Sequence, residues 1–434
     1  MKNILLSLGL VLLSCVYSTA QYNVIWNFGT IAKDGAGPSG NLLVDAMGNL
    51  YGTTTVGGSS SACNQGCGTV FELSRQANGA WQENILYNFC ALDSSCPDGS
   101  DPQAGLVMDA KGNLYGTTNQ GGLTNCPIAR VGCGVAFEIS PPSSPGTTWT
   151  YSVLYDFCSV PDEGRCSDGA QPKGPLAFDA SGNLYGTTSL GGNNGVFDTS
   201  GTVFELSPGA SGWTETVLYR FCSVQNAGIC ADGAYPIAGV TLDRSGNLYG
   251  TTFTGGASNS PAGAGIVYKL SLEGRAWQQR VLYSAGTTQF SPQAFFGSAI
   301  VDPAGNIYFT FAAGGRIKGT TIPGDGGVMR LNKRGTDHSV FVFNGTDGIG
   351  PAAGVLVDSK RQLLYGTAAI ASGGTVFELD ATGQETVLHT FCSDGCLDGE
   401  DSFSGITEDE AGTLYGATIN GGAFGNGVIF QIVQ

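Results

Sequence analysis

A chain of 434 residues has room for two or three domains, but its 69 glycines and its 12% of charged residues suit many short strands joined by tight turns, not helices or disorder. The formal charge of −16, from 35 acidic against 19 basic residues, argues against a nucleic-acid partner, whose recognition rests on clustered Lys and Arg. After residue 20 no stretch approaches the roughly 20 apolar residues of a membrane-spanning helix, and no helix is predicted there.

The first twenty residues stand apart. Lys2 precedes an apolar run from Ile4 to Val16, and Ser18-Thr19-Ala20 offers small residues for cleavage before Gln21. This is the pattern of a secretory signal, which makes residues 1–20 a signal peptide and 21–434 the mature chain. Leu12-Leu13-Ser14-Cys15 also permits a lipoprotein reading, with Cys15 as the anchor.

From Gly48 a motif, GNLYGTT, returns at Gly112, Gly182 and Gly246, with weaker copies at Gly305, Arg361 and Gly412. Its marker tyrosines are Tyr51, Tyr115, Tyr185, Tyr249, Tyr308, Tyr365 and Tyr415, separated by 64, 70, 64, 59, 57 and 50 residues. A supersecondary unit repeated end to end overrides the length prior in favour of one array. The second unit reads ILYNF from Ile85, then a loop to Pro102, AGLVMD, a turn, NLYGTT, a further loop and GVAFEIS. Each run is short, rich in β-branched and aromatic residues, and bounded by Gly, Asp, Asn or Pro, so each unit predicts four strands. Turns such as Asp109 to Gly112 pair an Asp cap with a closing Gly, which makes those aspartates structural.

Four antiparallel strands taken seven times predict an all-β, seven-bladed β-propeller forming a single domain over 21–434. The ends are complementary fragments of one blade: residues 22–28 (YNVIWNF) match the VLYxF strand, and residues 427–433 (GVIFQIV) match the TVFEL strand. Their pairing would close the ring and remove two exposed strand edges. GNLYGTT followed by a Gly-Gly pair and GTVFEL resembles the Gloeo_Verruco repeat of secreted bacterial choice-of-anchor tandem repeat proteins, closely in the first four units and loosely in the fifth and sixth. The resemblance implies an extracellular location and no particular activity. Relatives of that kind carry a C-terminal sorting anchor, whereas Gln434 follows directly on the last strand, so free secretion is expected.

Without Cys15 the twelve remaining cysteines fall into close couples: Cys63 with Cys67, Cys90 with Cys96, Cys126 with Cys133, Cys158 with Cys166, Cys222 with Cys230, and Cys392 with Cys396. In an exported chain they predict six local disulfides. Zinc competes for the two C-x3-C couples, but a structural site needs four ligands and there are only two histidines.

The couples, the Gly-Gly pairs and the long insertions all belong to one face, where a rigid scaffold usually carries its binding site. On that face an Asp-Gly pair recurs before the inner strand in six units, at Asp34, Asp98, Asp168, Asp232, Asp347 and Asp398, five times as DGxxP. A ring of these carboxylates at the channel mouth would offer oxygen ligands to Ca²⁺, or paired carboxylates to a sugar. The alternative is an Asx turn closed by Gly, repeated because the loop repeats. Trp81, Trp149, Trp213 and Trp277 would supply either a sugar platform or packing between blades. For nucleophilic catalysis there is no G-x-S-x-G elbow, H-E-x-x-H pair or P-loop, and His338 and His389 fall on outer strands. The expected function is binding of an extracellular glycan or protein by a monomer. The alternatives are a propeller-type glycoside hydrolase or polysaccharide lyase, and a non-enzymatic structural surface protein.

Overall fold

The computed structural model describes residues 20–434 apart from 124–125, 130, 145–147, 163–164, 193–199, 227, 257–263, 287, 289–290, 318–319, 333–336, 369–372 and 394. The signal sequence and Cys15 therefore lie outside the described residues. Every regular element is a strand, and none is a helix long and apolar enough to cross a membrane.

The strands form seven four-stranded antiparallel sheets, each taking its strands in chain order except the last. The first blade comprises Gly35–Val44, Leu50–Gly57, Thr69–Arg75 and Trp81–Asn88. The last comprises Thr407–Glu408, Leu414–Thr418 and Val428–Val433, with Gln21–Asn27 as its outermost strand. Gln21 opposes Val433 and Asn27 opposes Val428, with one bulge between Val24 and Trp26. The closure expected from the two chain ends is thus present, and the molecule is a seven-bladed β-propeller.

The inner strands depart from the expected four to six residues: beyond the first blade they span two or three, as at Val107–Met108 and Ala177–Phe178. Sterics explain this. A Cβ on Gly40 would lie 2.1 Å from the Gly105 nitrogen, and one on Gly174 would lie 2.1 Å from the Gly239 nitrogen. Neighbouring inner segments approach backbone to backbone, which draws them away from ladder geometry with their own blades.

The core sits between blades. Phe89, at the end of the first blade's outer strand, packs edge-on against Phe137 of the second at 5.3 Å, and Phe157 meets Phe204 at 5.0 Å. Phe28 from the closing strand meets Phe71 at 5.2 Å. The tryptophans resolve the same way. Trp149 packs on Tyr51, Trp213 on Tyr115 and Trp81 on Tyr415, each across a blade boundary. Trp277 shares a core cluster with Tyr185.

Candidate functional site

The Asp-Gly carboxylates are engaged by donors of their own loops, and Asp34 also borders the cleft lined by Ser39, Gln103 and Phe403. Asp34, Asp98, Asp168, Asp232 and Asp398 are buried at the joints between outer strands. Asp98 Oδ2 accepts the Tyr87 hydroxyl at 2.7 Å. Asp168 Oδ2 accepts from the Tyr155 hydroxyl at 2.7 Å and the Ser159 amide at 2.9 Å. Asp232 Oδ2 accepts from Tyr219 at 2.6 Å and the Ser223 amide at 2.9 Å. In the closing blade's neighbour, His389 Nε2 takes the tyrosine's place at 2.8 Å from Asp398. Asp34 accepts the Gly29 amide at 2.7 Å, and Asp347 accepts the Asn344 amide at 2.8 Å. A tyrosine and the following loop thus engage one oxygen of Asp98, Asp168 and Asp232, while Asp347 and Asp398 use both oxygens within their loops, which is the loop-closing arrangement. The set does not fit Ca²⁺. The ion wants six to eight oxygens, whereas the partners here are N–H and O–H donors, and among the described residues no three of these carboxylates converge.

The register adds a feature absent from the sequence reading. Tyr22, Glu83, Tyr151, Glu215, Gln279 and Glu385 occupy one equivalent position on their outer strands, each opposite a core Leu or Ile. Tyr22, Tyr151 and Gln279 donate to the main-chain carbonyls of Asp398, Asp98 and Asp232. The three glutamates instead face carboxylates. Burial, then contact with Asp34, pushes Glu83 up to about 9. Burial, then Asp168, raises Glu215 to about 8 against the pull of Arg220, and burial, then Asp347, raises Glu385 to about 8. The Trp26 indole also faces Glu83 and opposes the rise there. Each of these glutamates therefore holds its proton to a higher pH than a free carboxyl does.

The mouth is built by other residues of the same loops. Three positions after each Asp of the Asp-Gly pairs, and at the matching place in the fifth blade, stand Gly37, Asp101, Gln171, Tyr235, Ala294, Gly350 and Asp401. All seven have left-handed φ, between 55° and 63°. Their peptides bridge blades: the Asp101 amide donates to Cys67 O at 3.0 Å while its carbonyl accepts from Asn119 at 3.0 Å, and Tyr235 bridges Ser200 and Phe253 likewise. Non-glycine residues held in this region are overdetermined by their surroundings, and such positions cluster at functional sites.

Inside this ring lies a cavity of about 430 Å³. One side is aromatic. Tyr235, Phe253 and Phe296 line it, with Phe253 and Phe296 at 5.0 Å between ring centres. Elsewhere the lining carries Ser39, Asn41 and Gln103, with Phe403, 41% exposed, beside Ser39 and Gln103. Lys173 reaches the Tyr235 hydroxyl at 3.4 Å. Asp101 braces the polar lining, its Oδ2 accepting Gln103 at 3.0 Å, Asn119 at 2.9 Å and Gln120 at 3.0 Å. Burial raises the Asp101 carboxyl against those amides and Lys173. The sequence reading missed these residues because it followed the constant Asp and Gly. The signal lay in the variable places of the DGxxP loop, where Asp, Gln, Tyr and Gly alternate within a fixed frame.

All six cysteine couples are bonded as local disulfides, four to eight residues apart. They stiffen the loops that carry this face.

Fold and mouth together define a disulfide-braced β-propeller with a walled channel entrance. The chain belongs to the Gloeobacter/Verrucomicrobia repeat family, whose profile matches residues 11–165, 129–323 and 260–434. No curated protein matches the sequence significantly. Similar solved structures include a provisionally named 6-phosphogluconolactonase of Bacteroides uniformis, 14% identical over 83% of this chain and 86% of that one, TM-score 0.48. A Lactobacillus plantarum protein is 14% identical over 84% and 95%, TM-score 0.46. Trypanosoma rangeli sialidase, solved with sialic acid, is 10% identical over 95% and 58%, TM-score 0.43. At these identities the likeness is one of fold alone.

Proposed function

We propose that the protein is secreted through its N-terminal signal and binds an extracellular glycan at the channel mouth. The observation that carries this reading is the mixed lining of the cavity, with aromatic rings at Tyr235, Phe253 and Phe296 and an amide group braced by Asp101. Ring faces take the apolar faces of a sugar, and convergent amides orient its hydroxyls; a volume of about 430 Å³ lies in the range of small-ligand sites. Bracing of the loops by disulfides lowers the ordering entropy that binding must overcome. Six disulfides suit an extracellular setting. A glycoside hydrolase draws no support here, because paired carboxylates are needed and none of the described lining residues is acidic.

The test is a glycan array run on the mature chain and on Phe253→Ala, with and without a chelator. The reading expects selective, chelator-independent binding that the variant loses by about tenfold or more, the loss of an anchor worth roughly 1.4 kcal/mol. Binding that survives in Phe253→Ala, or that vanishes with the chelator, would count against it.

A further inference from the structure

The disulfide couples are not isolated from one another. Taken singly, each couple has two sulfurs, too few for a metal. The fold stacks Cys63 and Cys67, from the loop before the first blade's third strand, against Cys90 and Cys96, from the loop after its outer strand. The Sγ atoms of Cys63 and Cys90 are 3.9 Å apart, and all four sulfurs lie within 4.8 Å of one another. A tetrahedral zinc-class ion bonded at about 2.3 Å to four sulfurs sets them about 3.8 Å apart. The spacing between the two couples already matches that figure, and each bonded pair opens to it once its S–S bond is broken.

From this geometry we infer a second way of closing these loops: when both disulfides are reduced, Cys63, Cys67, Cys90 and Cys96 take one divalent zinc-class ion. Two dithiols deliver four electrons, the two S–S bonds break, and the ion binds four thiolates while four protons leave, giving a site of charge −2 and two oxidised dithiols.

Main-chain bonds that do not depend on sulfur hold the ligands in place. The Cys67 carbonyl accepts Asp101 N at 3.0 Å, and the Cys96 carbonyl accepts Gly99 N at 3.0 Å and Gly122 N at 2.9 Å. Cys67, Cys90 and Cys96 are buried, while Cys63 is half-buried. Cys63, Cys67 and Cys96 border a cleft of about 620 Å³, which gives reductant and ion a way in. Soft thiolates select zinc-class ions over Ca²⁺ or Mg²⁺. The stack of Cys126, Cys133 and Cys166 brings only three sulfurs this close, and Cys222 with Cys230 stands outside any such group, which makes it an internal control.

The experiment reduces the mature protein with a dithiol under argon, removes the reductant and titrates with Co²⁺ alone, following visible absorption and far-ultraviolet circular dichroism. The inference expects the visible bands of tetrahedral cobalt–thiolate on a protein that keeps its β spectrum. Cys63→Ser and Cys90→Ser should each weaken Co²⁺ binding at least about tenfold, and Cys222→Ser/Cys230→Ser should leave it unchanged. Zn²⁺ should displace the cobalt. Absence of these bands, bands unchanged in Cys90→Ser, or loss of the β spectrum on reduction before metal is added would each overturn it.

Discussion

Gly116 and Phe137 lie opposite each other across two strands, and a Cβ on Gly116 would come 2.6 Å from the Phe137 ring. The same pairing of Gly with an aromatic ring recurs at Gly52 with Phe71 and Gly186 with Phe204, so the glycine of GNLYGTT is there to admit the ring. In the fifth blade the motif carries Phe309 and its opposite is Met329, the exchange of bulk that this contact demands. The first threonine joins blades: Thr53 donates to Ala104 O at 2.9 Å and Thr187 to Ala238 O at 2.8 Å. The tyrosine hydroxyl donates to the turn carboxylate, as from Tyr115 to Asp109 at 3.2 Å. Gly116→Ala should cost about 1 to 3 kcal/mol by overpacking, read as a lower denaturant midpoint with unchanged slope. Thr187→Ala should cost about 1 to 3 kcal/mol by leaving a buried carbonyl without its donor.

The acid pairs set a pH dependence whose sign follows from Glu83, Glu215 and Glu385. Their folded pKa values are raised, so the folded state holds more protons than the unfolded chain between about 4.5 and 8 to 9. The stability they contribute is complete below the unfolded value and is lost as pH rises through the folded one. The turn carboxylates Asp109, Asp179 and Asp243 act oppositely. Burial raises Asp109, but hydrogen bonds from Asn113 and Lys111 outweigh it and hold the group below its usual value, so its contribution is lost on acidification. Melting temperature should therefore fall from pH 5 to pH 9. Glu83→Gln, whose amide can donate to Asp34 as the protonated acid does, should flatten that fall while leaving the pH 5 value nearly unchanged. A variant as pH-sensitive as the parent would remove the pair as its source.

At the scale of elements, Gln21–Asn27 and Val428–Val433 form the joint on which closure rests. Deleting residues 21–29 exposes the edge of the last blade and removes Phe28 from its place on Phe71. The whole ring should then lose melting temperature in one cooperative transition, checked by calorimetry; an unchanged temperature would show that the ring does not depend on this strand. The closure was legible in the sequence because each end carries half of a recognisable unit, and so were the disulfides, whose partners are neighbours along the chain. What was not legible depends on register. Glu83 and Asp34 lie 49 residues apart, and only the antiparallel pairing that sets Glu83 opposite Leu73 turns it inward against Asp34. The shortness of Val107–Met108 was hidden likewise, because it follows from contact between inner segments of different blades.

At the scale of the molecule, seven nearly equal blades build a frame whose constant residues are spent on structure. Asp98, Asp168 and Asp232 repeat because they close loops, while Asp101, Tyr235, Gln103, Phe253 and Phe403 differ from blade to blade because nothing in the frame requires them. The proposed binding residues are those that break the repeat, and two of them, Asp101 and Tyr235, are held on left-handed backbone that the blades fix from both sides. The most direct test is calorimetric titration of the glycan selected on the array into two triple variants, Asp101→Asn/Asn119→Ala/Phe253→Ala at the mouth and Asp98→Asn/Asp168→Asn/Asp232→Asn at the joints. The first should lose binding while keeping its fold, and the second should melt earlier yet bind as the parent does below its transition. Full affinity in the mouth variant, with loss confined to the joint variant, would contradict the assignment and return the site to the Asp-Gly carboxylates.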